Sequence, residues 1–155
     1  EALSADATAE DRLRRVVDHH AAGEFSREDL HVRLTHFARE FPRVSHAAAA
    51  FAAADADAVG RLSAASHDDA DKLLRNQLPE TNALVRLAMT QGAIGASAFG
   101  AGFGGSVWAI VATTDAGAVQ TFGDRWLASY REAFPSRAVM ASWFAALPGA
   151  PLTDI

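Results

Sequence analysis

The sequence predicts an α+β fold in which helices pack on one face of a small antiparallel sheet. Two observations predict it. Up to Gly92 the apolar side chains recur every three or four residues, as helices require, and after Ala93 the period shortens to two on either side of a glycine-rich turn. A third observation sets the scale: 155 residues, 50% hydrophobic and 21% charged, match one globular domain with one core.

The elements follow in order. Residues 8–22 carry Leu13, Val16, Val17 and Ala21 at helical spacing, with Gly23 as the stop. A second helix starts at Ser26, because Ser26 with Asp29 forms an acidic variant of the capping box, and Leu30, Leu34 and Phe37 share one face. Pro42 ends that helix or occupies the first turn of the next. Residues 44–54 read as an alanine-rich helix, and residues 57–74 as another with Val59, Leu62, Ala65 and Ala70 inward. Pro79, Glu80 and Thr81 open a further helix that buries Leu84, Leu87, Ala88 and Gln91 or Met89, and Gly92 closes it.

Residues 93–99 and 106–113 then read as two strands of a hairpin. Residues 116–134 form a helix carrying Val119, Phe122, Trp126, Leu127 and Tyr130, whose aromatic positions, continued by Phe134, have core spacing. Residues 137–145 alternate well enough to be a third strand, and residues 147–155 form a proline-containing tail.

Composition excludes several functions. No apolar run approaches the ~18–20 residues of a membrane span, the alanine-rich stretch 47–54 soon meeting Asp55 and Asp57. A net charge of −5 disfavours nucleic acid, and the one dense basic cluster, Arg12, Arg14 and Arg15, shares its helix with Glu10, Asp11 and Asp18. The absence of cysteine removes disulfides, thiolate metal sites and cysteine nucleophiles, and it fits a reducing compartment, so the cytoplasm is expected. The chain opens on an acidic, polar segment with Glu1 first, as a piece of a longer protein would.

The candidate chemistry lies in the glycines between the two strands. Gly100, Ala101, Gly102, Phe103, Gly104, Gly105 and Ser106 leave the backbone free to take positive φ and to offer N–H groups to an anion such as phosphate. These residues also satisfy G-x-G-x-x-G, but a dinucleotide site needs a helix after the loop, and a strand-like run follows here. A Walker loop is excluded because the chain's one lysine, Lys72, lies elsewhere.

Other constellations are weaker. His19, His20, His31, His36, His46 and His67 lack metal-ligand spacing and read as surface or helix-packing residues. Ser97 and Ser106 lack the elbow of a nucleophilic serine. The cluster His67-Asp68-Asp69-Ala70-Asp71 reads as a solvated turn, with a divalent cation as the alternative.

Taken together these residues resemble the C-terminal half of galactokinase-type sugar kinases of the GHMP kinase superfamily. The third motif of that family runs G-A-[R/K]-x-T-G-A-G-F-G-G-C before an apolar strand, and Gly95, Ala96, Gly100, Ala101, Gly102, Phe103, Gly104 and Gly105 match eight of its twelve positions in register. Ser66-His67, Pro79-Glu80 and Leu84-Val85 resemble the family's S-H and P-E-L-D-x-L-V segments. Phe122, Tyr130 and Pro148-Gly149-Ala150 resemble its last helix and its closing P-x-x-G-A. The likeness covers residues 41–150.

The resemblance implies a ferredoxin-like C-terminal domain over residues 41–155, preceded by a helical extension over residues 1–40. In the family an N-terminal domain supplies the sugar-binding motifs and the phosphate loop, and ATP lies between the domains with Mg²⁺. None of those motifs occurs here. The glycine-rich loop therefore carries over as the part that lies beside the phosphates, no catalytic residue or metal ligand is assigned, and the isolated chain is expected to be inactive.

The implied partners are the N-terminal kinase domain and a monosaccharide, with neither nucleic acid nor membrane, and the isolated domain is expected to self-associate. Ser97, Phe99 and Ser106 stand where the family has a basic residue, threonine and cysteine, and Lys72-Leu73-Leu74 replaces D-D-Y, which leaves the sugar open. A non-catalytic sugar- and nucleotide-binding regulator is the alternative.

Overall fold

The computed structural model describes residues 8–19 and 23–146. The described residues form five α-helices and one hairpin: α1 Ala9–Asp18, α2 Arg27–Ala52, α3 Ala56–Asp69, α4 Pro79–Thr90, β1 Gly95–Ala98, β2 Val107–Ile110 and α5 Ala116–Ala133. A π-helical turn, Ala70–Leu74, extends α3, and a 3₁₀ turn, Pro135–Arg137, follows α5.

Local chemistry starts three of these helices. The side chains of Ser26, Asp55 and Asp115 accept the amides of Asp29, Ala58 and Ala118 at 3.0, 2.9 and 2.7 Å, each satisfying a backbone donor that the first turn leaves open. The cap expected at Ser26 is present, with the Ser26 hydroxyl also donating to Asp29 at 2.6 Å. At α4, Pro79 needs no donor in the first turn, and Thr81, 1% exposed, accepts the Leu78 N–H at 3.0 Å.

Pro42 neither ends one helix nor starts another: α2 runs unbroken from Arg27 to Ala52 and so crosses positions 40 and 41. A proline inside a helix removes a hydrogen bond and costs about 3 kcal/mol. The compensation straddles it. Arg39 and Arg43, one turn apart on either side of Pro42, both bind Asp69 of α3, at 3.0 and 2.5 Å. Arg43 also donates to Glu40 at 2.8 Å, and Glu40 accepts from Ser66 of α3 at 2.7 Å. The proline is thus clamped within a polar network that ties α2 to α3. On the N-terminal side, Arg14 donates to Thr35 at 3.1 Å and His31 meets Asp18 at 2.7 Å, which seats α1 on α2.

The sheet holds the two strands of the hairpin, antiparallel, with Gly95 opposite Ile110 and Ala98 opposite Val107. Helix α3 reaches β1 through small residues. A Cβ on Gly60 would overlap the carbonyl oxygen of Ile94, and one on Gly95 would lie 3.0 Å from the Ser63 hydroxyl. Val85, Ala88, Ala93 and Ala96 form the buried centre, enclosed by Val107, Ala109, Phe122 and Trp126. The indole N–H of Trp126 donates to the Leu84 carbonyl at 2.9 Å, so α5 is oriented on α4 as well as packed there.

The third strand expected at residues 137–145 does not form; the 3₁₀ turn leads into chain without repetitive structure. Alternation alone does not make a strand, and this segment pairs with neither outer edge of the two-stranded sheet. Here α5 holds the segment through side chains: Trp143 covers Gly123 and donates to Asp124 at 3.1 Å, and Arg131 donates to the Ala141 carbonyl at 2.8 Å. Val139 and Met140, 94% and 87% exposed, both face outward, against the alternation. The expected tail at residues 147–155 lies outside the described residues, among which no helix is long and apolar enough to cross a membrane.

Asp69 generates a prediction. Burial raises its pKa, but the hydrogen bonds and charges of Arg43 and Arg39 outweigh burial and hold the carboxyl below the usual Asp range. Asp69→Asn is expected to cost about 2–3 kcal/mol at neutral pH, because it leaves Arg43 short of a counter-charge. A group whose folded pKa is depressed stabilises fully above its unfolded value of ~4 and loses that contribution as pH falls through the lower folded value. Urea unfolding should therefore show the gap between wild type and Asp69→Asn closing below that pH. A gap of constant size would contradict the assignment.

Candidate functional site

The loop that joins β1 to β2 is built on positive-φ backbone. Gly100, Gly102, Gly104 and Gly105 have φ of +71°, +83°, +107° and +93°, and Phe103, with a side chain, has +60°. Such a conformation costs a non-glycine residue on the order of 1–2 kcal/mol, so something must hold Phe103 there. Asn76 holds it. The Phe103 N–H donates to the Asn76 carbonyl at 2.5 Å, and the Asn76 side-chain amide donates to the Ala101 carbonyl at 2.8 Å.

Asn76 is itself fixed. It is 8% exposed, and its side-chain oxygen accepts from Gln77 at 2.9 Å. Gln77 in turn meets the buried Thr81 hydroxyl at 3.1 Å. Asn76 sits there because the π turn ends in Arg75 at φ +53°, whose N–H bonds the Ala70 carbonyl. Gly102 completes the fit: a Cβ there would overlap the Asn76 carbonyl oxygen and approach the side-chain amide to 2.7 Å.

A second tie comes from α3. The buried His67 accepts the Ala98 N–H at Nδ1, 3.4 Å away, and its Nε2 donates to the Asn82 side-chain oxygen at 3.0 Å. Asn82 donates onward to Asp71 at 2.9 Å. The last residue of β1 is thereby linked through His67 to α4 and to the π turn, so both ends of the loop's support belong to one connected framework.

The sequence-predicted loop residues are all together, as consecutive residues of one turn must be, and the turn faces solvent, with Ala101, Phe103, Gly105 and Ser106 exposed. The backbone N–H groups of Gly100, Ala101, Gly102, Gly104 and Gly105 find no acceptor among the described residues. Open donors in a run of left-handed backbone form the kind of concavity that binds anions. Ser97 is part of β1 opposite Trp108, and Phe99, 66% exposed, stands at the mouth of the loop.

The acidic cluster is neither a solvated turn nor a metal set. Asp69 is buried against two arginines, Asp71 accepts from Asn82, and Asp68 pairs with Lys72 at 2.6 Å. Among the described residues no three His, Asp or Glu side chains gather as a metal site.

Residues 47–131, more than half of the chain, match the family described as GHMP kinases C terminal. The chain belongs to this family. It is also similar to a solved galactokinase from Lactococcus lactis complexed with galactose, at 29% identity and a TM-score of 0.64, over 87% of this chain and 39% of that one. The GHMP domain described here thus spans well under half the length of that galactokinase. Its helix-rich architecture with a small antiparallel sheet is the α+β class expected.

Asn76, Gln77 and His67's contact with β1 escape sequence reasoning. The available signal was a short polar run, Arg75-Asn76-Gln77, set between the apolar pairs Leu73-Leu74 and Leu78-Pro79.

Gly102 and Gly100 separate steric fit from backbone conformation. Both have positive φ, but a Cβ on Gly100 meets nothing within 4 Å. Gly100→Ala is expected to cost about 1 kcal/mol and Gly102→Ala about 3 kcal/mol or more, by thermal unfolding. Equal losses would show that Asn76 does not clasp the loop.

Proposed function

We propose that this chain is the C-terminal domain of an ATP-dependent sugar kinase of the galactokinase type, whose parent transfers the γ-phosphoryl group of ATP to a monosaccharide hydroxyl. The observation that carries the reading is the glycine-rich loop, with open N–H donors and a buried anchor at Asn76, in a chain of the GHMP family. Phosphoryl transfer depends on position and on neutralised charge, and a backbone cradle that needs no rearrangement serves the first. Gly100, Ala101, Gly102, Phe103, Gly104, Gly105 and Ser106 are the residues proposed to lie beside the phosphates.

The open amides fit an anionic nucleotide tail. Mg²⁺ enters with the nucleotide, and no residue of this chain is assigned to it. The sugar-binding residues, the phosphate loop and any general base are proposed to belong to an N-terminal domain packed against this one, in the cytoplasm. The separate chain is then expected to show no sugar-dependent ATP consumption.

A coupled assay of the parent protein against a panel of monosaccharides, galactose included, tests this. ATP turnover with at least one sugar is expected, and Gly105→Ala, where φ is +93° but no atom lies within 4 Å of a Cβ, should lower kcat/KM about tenfold at a stability cost of only about 1 kcal/mol, as at Gly100. Turnover by the 155-residue chain alone, or full activity in Gly105→Ala, would sink the proposal.

One observation favours a second reading. Ser97 carries no charge where the family motif has a basic residue, and Phe99 no hydroxyl where it has threonine, which suits a regulator that binds sugar and nucleotide without turnover. Saturable sugar binding by a parent that leaves ATP intact would select it.

A further inference from the structure

We propose that α2 carries a homodimer interface, in which two copies of this chain pair antiparallel through Phe37, Phe41, Val44, Ala48 and Phe51. The five residues are spaced four, three, four and three apart, the seam spacing of paired helices. All face solvent: Phe37, Phe41, Val44 and Phe51 are 60%, 47%, 70% and 60% exposed. The opposite side of α2 is already engaged, with His36 and Ala50 buried and Arg39 and Arg43 bound to Asp69. The seam is therefore a second apolar face on a helix that already has one core-facing side.

Three features select a second copy as the occupant. The first is self-complementarity, which a twofold interface requires. Phe37 and Phe51 lie seven residues to either side of Val44, so a twofold axis at Val44 sets each Phe37 against the partner's Phe51. The same axis places Phe41 over the alanines Ala47 and Ala48 of the partner subunit, large against small. The second feature is charge. The seam residues themselves are uncharged, and the charged side chains between Phe37 and Val44, namely Arg39, Glu40 and Arg43, are already paired with one another or with Asp69, so two chains of net charge −5 meet along an uncharged line. The third is area. Three phenylalanines about half exposed, with Val44 and Ala48, leave roughly 400–500 Å² per copy on a helix side about 20 Å long. Pairing buries roughly twice that area, below the ~1,200 Å² at which stable interfaces begin, and a weak, readily reversible dimer follows. The inference stands independently of the kinase reading.

Sedimentation velocity on the full 155-residue chain, from a few micromolar to several hundred micromolar, is expected to show a reversible monomer–dimer equilibrium. Phe41→Asp should weaken it about tenfold or more, with circular dichroism and thermal midpoint unchanged because Phe41 is exposed. Val16→Asp adds the same charge at another exposed apolar site, 67% exposed on α1, and should leave the dimer intact. Because the chain has no cysteine, Val44→Cys reports the axis: mild oxidation should link two copies, whereas Thr121→Cys on α5 should not. A monomer throughout the concentration range, a dimer indifferent to Phe41→Asp, or a dimer that Val44→Cys fails to cross-link would overturn the proposal.

Discussion

A carboxylate in the last turn of α3 governs how the rest of the fold is arranged. Asp69 sits where the helix dipole disfavours negative charge and where water is largely excluded, two reasons for a carboxylate to be absent. It is tolerated because Arg39 and Arg43 reach it from α2. The consequence is mutual: the arginines tie α2 to α3 on both sides of Pro42, and Asp69 keeps the C-terminal end of α3 against α2. Immediately beyond that fixed point the π turn changes the direction of the chain, and Arg75 and Asn76 emerge beside the glycine-rich loop.

The loop inherits its rigidity from this arrangement. Glycine-rich backbone is entropically costly to order, and five left-handed residues in six would not hold one shape unaided. Asn76 engages the loop from one side and His67 engages the end of β1 from α3. A site ordered before its ligand arrives spends less of the binding energy on ordering. The described residues thus contain the loop together with Asn76 and His67, which hold it, in a chain that spans 39% of the solved galactokinase it resembles.

Much of this was legible where local chemistry decides. The Ser26 and Asp29 pair, the proline that opens α4 and the glycine run between two strands each act through neighbours a few residues away. What was not legible depends on residues far apart in the chain. Pro42 reads as a break until Asp69, some thirty residues on, supplies the clamp. Asp69 reads as solvated until two arginines are folded over it. The alternation at 137–145 reads as a strand because a sequence pattern does not say whether the segment will reach a sheet edge or be held, as here, by the side chains of a helix. Asn76 carried the faintest mark, since a buried asparagine is recognisable only from the partner it satisfies.

The contact between Trp143 and Gly123 has a further consequence. With no side chain at Gly123, the indole rests on the backbone of α5, and the 3₁₀ turn and the residues before Trp143 bring it there. The segment therefore works as a measured strap: its composition is permissive, as its outward apolar residues show, but its length is not. Insertions or deletions between residues 134 and 142 would be tolerated far less than substitutions, so across related chains this connection should vary in residue identity and keep its residue count.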